Sequence, residues 1–142
     1  MMIRGMLAAA LLVGTAVTAV FVPAEPAHAQ VARELWVKND CPRPMRFIIS
    51  HADAYRNWHT HGWWNFSANE SAKALTWSGI RLTQLDNHDL YIYGETTDGS
   101  GQYWQGGDFH YEFSGNTYNM MKVPLSVVSG HLELRLTCPE AD

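Results

Sequence analysis

The amino-acid sequence predicts an all-β protein: a single antiparallel β-sandwich of about seven or eight short strands. Apolar and polar residues alternate in short runs, which is the period of a strand with one buried face. Clusters of Gly, Pro, Asn and Asp separate these runs, and no long segment repeats at the helical period. The 142 residues suffice for one hydrophobic core but not for two, so we expect one folded domain.

The first 29 residues predict a secretory signal peptide. Arg4 precedes the uncharged apolar run Met6–Val22, and the small-x-small sequence Ala27-His28-Ala29 follows. The apolar run is too short for a spanning helix, so we expect no membrane span. Cleavage after Ala29 should leave residues 30–142 as the mature domain. The predicted location is the periplasm or the extracellular space.

The first half of the mature region contains four predicted strands. Glu34–Lys38 alternates, Met45–His51 is rich in β-forming residues, and Asn57–Phe66 is rich in tryptophan. Ala72–Trp77 is a weaker fourth run. The segment that follows, Ser78–His88, is predicted to be a long connection.

The second half alternates more clearly. Leu90–Thr96 places Tyr91 and Tyr93 on the face opposite its aliphatic residues, and His131–Thr137 points its three leucines inward. Turn residues separate three further predicted strands: Gln102–Gln105, Phe109–Phe113 and Asn119–Val123.

The two cysteines predict one disulfide bond. Both lie in the exported part, where oxidising conditions favour pairing of an even number of cysteines. Cys41 follows the first predicted strand and Cys138 follows the last, so the bond should hold these two strands close together. Neither cysteine belongs to a Cys-x-x-Cys redox motif.

The charge of the chain excludes two classes of partner. Ten basic and 14 acidic residues give a net charge of −4, and the charges are dispersed. Nucleic acids and anionic membrane surfaces are bound by clustered Lys and Arg, so we expect neither as a partner.

The segment Trp58–Trp64 combines histidine and tryptophan. On a regular strand, period two places His59 and His61 on the same face as Trp63. The same period places the other large side chains on the opposite face: Trp58, Thr60 and Trp64.

Two imidazoles two residues apart on a strand can reach one metal ion, so a periplasmic copper- or zinc-binding protein is one hypothesis. Neighbouring strands would supply further ligands: His51, His110, Met120 or Met121. The alternative is that His59 and His61 are solvated side chains on an exposed strand, and on this interpretation the protein holds no cofactor.

Aromatic residues are more numerous than the core of so small a domain requires. The sequence contains six Trp, six Tyr and five Phe. Aromatic side chains on an outer sheet face can stack on sugar rings or contact a protein. We expect a binding surface formed by five of them: Trp63, Trp64, Tyr91, Tyr93 and Trp104.

No catalytic motif is recognisable, so we do not expect an enzyme. The sequence has no Gly-x-Ser-x-Gly nucleophile motif and no phosphate-binding loop. Glu95, Asp98 and Asp108 flank Gly-rich turns, where carboxylates are usually solvated turn residues.

Four short motifs resemble those of a small, mostly bacterial family of exported domains of unknown function. In order, they are Asn39-Asp40-Cys41, Gly62-Trp63-Trp64 preceded by Trp58, Tyr91-x-Tyr93-Gly94-Glu95, and Trp104-x-Gly106. The resemblance covers roughly residues 35–113.

The resemblance implies a disulfide arrangement but no activity. The family's Pro-Gly-Glu-Cys corresponds here to Ala68-Asn69-Glu70-Ser71, which implies that Cys41–Cys138 replaces an internal disulfide. The function that the sequence predicts is therefore a non-enzymatic binding module with an envelope or extracellular protein or glycan as partner.

Overall fold

The structure is a computed structural model that describes residues 31–139, and these residues contain strands and no helix. The all-β prediction is confirmed. The predicted signal peptide and the start of the mature chain at Gln30 lie outside the described residues. Within residues 31–139, no helix has the length and apolar composition needed to cross a membrane.

Seven strands have five residues or more, and six shorter ones connect or extend them. The long strands are β1 (Ala32–Asn39), β2 (Met45–Ala52), β3 (Trp58–Phe66), β8 (Leu90–Thr96), β10 (Phe109–Phe113), β11 (Asn116–Val123) and β13 (His131–Leu136). The short strands are β4 (Lys73–Ala74), β5 (Thr76–Trp77), β6 (Ile80–Arg81), β7 (Thr83–Leu85), β9 (Tyr103–Trp104) and β12 (Ser126–Val128).

The strands form two main sheets. The five-stranded sheet has the order β12-β13-β1-β4, and β7 also pairs with β1. The six-stranded sheet has the order β10-β11-β8-β2-β3, and β9 also pairs with β8. The predicted connection Ser78–His88 was wrong in one respect, because it contains β6 and β7. All described pairings are antiparallel except one: β1 and β13 run in parallel.

The core lies between the two sheets. Leu35 and Val37 of β1 and the three leucines of β13 contact apolar side chains of β2 and β8, and these residues are at most 3% exposed. The prediction that Leu132, Leu134 and Leu136 point inward is therefore confirmed.

The predicted disulfide is present between Cys41 and Cys138, whose Cα atoms are 4.7 Å apart. Cys41 lies just beyond β1, and Cys138 lies just beyond β13. The bond therefore covalently joins the C-terminal ends of two strands that are already paired in parallel.

A β-bulge in β3 decides which side chains face the core. Ile49 pairs with His61 and Phe47 pairs with Trp64, so Ile48 faces two residues, Gly62 and Trp63. Because the extra residue reverses the alternation, Trp64 packs on the core side with Phe47, and Trp63 lies on the outer side. The prediction that His59 and His61 share a face with Trp63 was therefore wrong.

Candidate functional site

The outer face of the six-stranded sheet carries a large group of aromatic side chains. Side chains of adjacent strands meet on this face through the pairs Ile48–Tyr93 and Tyr111–Tyr118. We call the group the aromatic face, and its members are Trp58, Trp63, Tyr91, Tyr93, Tyr103, Phe109, Tyr111, Phe113 and Tyr118.

The centre of the aromatic face is tightly packed around Tyr93. The Tyr93 ring centroid lies 4.8 Å from that of Tyr118 and 6.1 Å from that of Trp63, and Tyr93 is only 9% exposed. Its hydroxyl donates to Glu95 Oε2 at 3.2 Å, and burial, followed by the Glu95 charge, raises the pKa of Tyr93. The Arg46 guanidinium lies 4.2 Å from the Trp63 ring centroid and donates to Glu95.

The periphery of the aromatic face is open to solvent. Trp58, Tyr91 and Phe109 form a row with centroid separations of 5.7 and 5.5 Å. Trp58 is 48% exposed, Phe109 is 36% exposed, and Tyr103 is 47% exposed beside Tyr93. Aromatic surface that has no partner within the fold is the kind of surface that binds ligands.

The structure divides the five residues predicted for the binding surface. Trp63, Tyr91 and Tyr93 lie together on the aromatic face. Trp64 packs against the core and donates to the Thr76 carbonyl at 3.1 Å. Trp104 is a core residue, 6% exposed, and donates to the Thr137 carbonyl at 2.8 Å.

Sequence reasoning missed the residues that are most exposed on this face. The predicted binding surface does not include Trp58, Tyr103 or Phe109. The alternation of Phe109, Tyr111 and Phe113 was a usable signal for Phe109. No local signal marked Trp58, because its contact with Tyr91 depends on the alignment of β3 with β8 through β2.

A second site lies on the inner side of the β2–β3 pair, where three histidines meet. The ring centroids of His51, His59 and His61 are 5.5–5.8 Å apart. They line a cavity of about 380 Å³, which we call the histidine cavity. Its other lining residues are Asp53, Trp77, Ile80, Arg81, Leu82 and Thr83.

His51 is the buried member of this group. It is 3% exposed, and its Nδ1 lies 2.9 Å from the Thr83 carbonyl oxygen, to which it must donate. Burial lowers the pKa of His51 to about 4, so the ring is neutral at pH 7. Its Nε2 therefore carries a lone pair, and this atom has no hydrogen-bond partner among the described residues.

The other two histidines are partly exposed and make different contacts. His59 Nε2 lies 2.8 Å from Asp53 Oδ2. Burial opposes ionisation of Asp53, but hydrogen bonds from the Asn57 and Tyr55 backbone and from His59 lower its pKa. His61 stacks on Trp77 at 4.7 Å, and burial, followed by the proximity of His59, lowers the pKa of His61.

The remaining predicted metal ligands lie elsewhere. His110 is exposed on β10, where its Nδ1 lies 2.7 Å from Asn119 Oδ1. Met120 packs beneath the aromatic face and Met121 packs against the core. Among residues 31–139, no group of three or more His, Cys, Asp or Glu side chains has its donor atoms gathered as a bound metal ion requires.

The carboxylates considered for catalysis hold local structure. Glu95 accepts from Arg46, Asp98 accepts from Arg43, and Asp108 accepts from the Lys122 backbone N–H. A larger cavity of about 490 Å³ lies beside Trp104 and the disulfide. Its lining includes no His, Asp or Glu.

Comparison of the chain with protein-family models, with curated proteins and with solved structures found no match.

Proposed function

We propose that this protein is an exported, non-enzymatic binding module that holds a carbohydrate on its aromatic face. The observation that carries the proposal is the row Trp58–Tyr91–Phe109, which leaves aromatic rings open to solvent. Tyr91, in the middle of this row, packs against the buried cluster that contains Tyr93 and Met120. Its ring is therefore held in place and loses little conformational entropy on binding.

The chemistry of the aromatic face favours a glycan over a protein partner. Its exposed apolar residues are aromatic, and sugar rings bind aromatic rings through their C–H faces. The large exposed aliphatic side chains lie outside this face: Val31, Ile80, Val127 and Val128.

Polar groups beside the rings complete the surface. The Tyr91 hydroxyl lies 3.4 Å from Asp89 Oδ2, and Lys122 pairs with Tyr91 across the sheet. A few polar groups placed beside an apolar surface fix the orientation of a ligand, and sugar hydroxyls can both donate to and accept from these groups.

Export through the predicted signal peptide is part of the proposal. Its support is the Cys41–Cys138 disulfide, which is consistent with an oxidising compartment. N-terminal sequencing of protein from the medium or periplasm should find a start at or within two residues of Gln30. A start at Met1 would contradict export.

Membership of the family with the Gly-Trp-Trp motif is also a proposal. Its support is that the residues carrying the resemblance have steric or hydrogen-bonding roles in this fold. A Cβ on Gly62 would lie 2.1 Å from Ile48 Cγ2, and a Cβ on Gly94 would lie 3.3 Å from Trp104. Asn39 holds the turn before Cys41 through its buried amide.

A glycan array followed by titration calorimetry with the best-bound glycan tests the binding proposal. Trp58→Ala and Phe109→Ala should each weaken binding about tenfold or more, because an aromatic ring that stacks on the ligand contributes more than about 1.4 kcal/mol. Tyr55→Ala is the matched control, since Tyr55 is 86% exposed and has no ring contact in the described structure.

Two results would overturn the proposal. Absence of binding to every glycan, together with capture of a purified envelope protein that depends on Trp58 and Phe109, would assign the face to a protein partner. Glycan binding that survives both substitutions would move the site away from the aromatic face.

A further inference from the structure

We propose that the histidine cavity binds a divalent transition-metal ion, with His51, His59 and His61 as its three nitrogen ligands. This inference is independent of the carbohydrate proposal, because the cavity lies on the inner side of the β2–β3 pair, away from the aromatic face.

His51 provides the first argument. Its Nδ1–H is held by the Thr83 carbonyl at 2.9 Å, which fixes the ring orientation and leaves the Nε2 lone pair free. A buried nitrogen without a partner costs the fold free energy, and a bound ion would remove that cost. Donation of the second ring nitrogen to a backbone carbonyl is the usual outer contact of a metal-binding histidine.

The contact of His59 with Asp53 is the second argument. A carboxylate that accepts from one imidazole nitrogen orients the ring and makes the other nitrogen a better ligand. Asp53 Oδ2 lies 2.8 Å from His59 Nε2, which leaves Nδ1 available. Asp53 is itself fixed by the backbone N–H groups of Tyr55 and Asn57.

The size of the histidine triangle is the third argument. Three imidazoles on one tetrahedral ion have ring centroids about 5 Å apart, given metal–nitrogen distances of about 2.0–2.1 Å. The centroids here are 5.5–5.8 Å apart. The donor atoms are not gathered as a bound ion requires, so binding needs rotation of the partly exposed His59 and His61 while the buried His51 stays in place.

The ligand chemistry selects the metal. The cavity offers imidazole nitrogen and one carboxylate but no thiolate or thioether, a set that suits copper(II) and zinc(II). Arg81 is the cation in the lining, and its positive charge is paired because it donates to Glu34 at 2.8 Å. Divalent copper should bind more tightly than zinc, as it does to most nitrogen sites.

The test is copper(II) titration of the untagged protein in the presence of excess glycine, which competes with weak surface sites. Tryptophan fluorescence and electron paramagnetic resonance are the readouts. We expect one ion per chain, hyperfine coupling to nitrogen, and quenching of Trp77, which stacks on His61 at 4.7 Å. Trp77→Phe should reduce the quenching, because it removes the indole that stacks on His61. The same titration with zinc(II) should give weaker binding at the same residues.

Substitutions locate the site. His59→Gln and His61→Gln should each weaken copper binding roughly tenfold or more. His110→Gln is the matched control, because His110 is exposed and lies outside the cavity. His51→Gln should also weaken copper binding if the variant folds. If it does not fold, His59→Gln and His61→Gln still test the site, because both residues are partly exposed.

Three outcomes would overturn the proposal. One is copper binding that is equally tight in the wild type and in His59→Gln and His61→Gln. Another is the absence of a copper-bound species when glycine is present. Loss of binding in His110→Gln would place the ion at β10 and would also contradict the inference.

Discussion

At the scale of single residues, the buried amide of Asn39 shows how one side chain holds several chain segments. Asn39 is fully buried, and its Nδ2 donates to the carbonyls of Arg43 and Ser67 while its Oδ1 accepts from the Cys41 N–H. All its hydrogen-bonding groups act within the fold. The Asn-x-Cys motif therefore has a structural explanation that requires no ligand.

Asn39→Ala should lower the free energy of unfolding by about 3 kcal/mol, because it leaves buried backbone groups without partners. Urea denaturation followed by fluorescence measures the change. Asn65→Ala, at an exposed position of β3, should change it by less than about 0.5 kcal/mol. Equal effects of the two substitutions would contradict this explanation.

Gly62 is a residue whose lack of a side chain is required by close packing. A Cβ at this position would lie 2.1 Å from Ile48 Cγ2, and Ile48 is fully buried. Gly62→Ala should therefore destabilise the protein by about 1–3 kcal/mol through overpacking.

Thermal melting of Gly62→Ala checks this prediction, with Gly107→Ala as its control. A Cβ on Gly107 would meet no atom within 4 Å, so that variant should melt close to the wild type. A Gly62→Ala protein that melts like the control would show that Ile48 can move aside.

At the scale of elements, the bulge in β3 places one tryptophan on each side of the sheet. Alternation along the sequence predicted a strand that starts one residue before β3 and ends at the same residue. It assigned Trp63 and Trp64 to the wrong faces of that strand. The extra residue opposite Ile48 is set by pairing with β2, so the sequence of β3 alone does not contain it. The two sites on opposite faces of this pair depend on that one residue.

The turn between β8 and β9 gives a prediction about pH. The Ser100 hydroxyl and backbone N–H, and then Arg43, lower the pKa of Asp98 from 3.8 to about 2. Because the folded-state value is the lower one, the stability contributed by the carboxylate is complete above pH 3.8 and is lost as the pH falls through 2.

Urea denaturation of Asp98→Asn should therefore give a lower midpoint than the wild type at pH 5, and the difference should shrink toward pH 2. Glu112→Gln, which removes an exposed carboxylate on β10, is the control for loss of a surface charge. A difference that stays constant from pH 5 to pH 2 would show that the charge of Asp98 has no role.

At the scale of the whole molecule, the parallel pair β1–β13 brings the two ends of the described chain together. The two strands lie side by side within the five-stranded sheet. Five residues of β1, Leu35–Asn39, pair in register with five of β13, Leu132–Leu136. The disulfide lies just beyond this pair and spans a sequence separation of 97 residues. Most of the described chain is therefore a loop closed by one covalent bond.

Replacing both cysteines with serine should lower the free energy of unfolding by about 4–5 kcal/mol, as the loop-entropy model gives for a loop of this length. The comparison is urea denaturation of Cys41→Ser/Cys138→Ser against the oxidised wild type. Wild type reduced with dithiothreitol is the control and should resemble the variant. Equal midpoints for the oxidised and reduced protein would contradict a stabilising role.

The sequence by itself determined the all-β class, the positions of most long strands, the inward leucines of β13 and the cysteine pair. These features depend on local alternation, turn residues and the presence of two cysteines at strand ends, which a sequence records directly. Tertiary structure alone decided the parallel pairing of β1 with β13, the burial of Trp104 and which of the further candidate ligands, His51, meets His59 and His61. These features depend on strand register and on contacts between residues distant in sequence, because a shift of one residue in register exchanges the two faces of a strand.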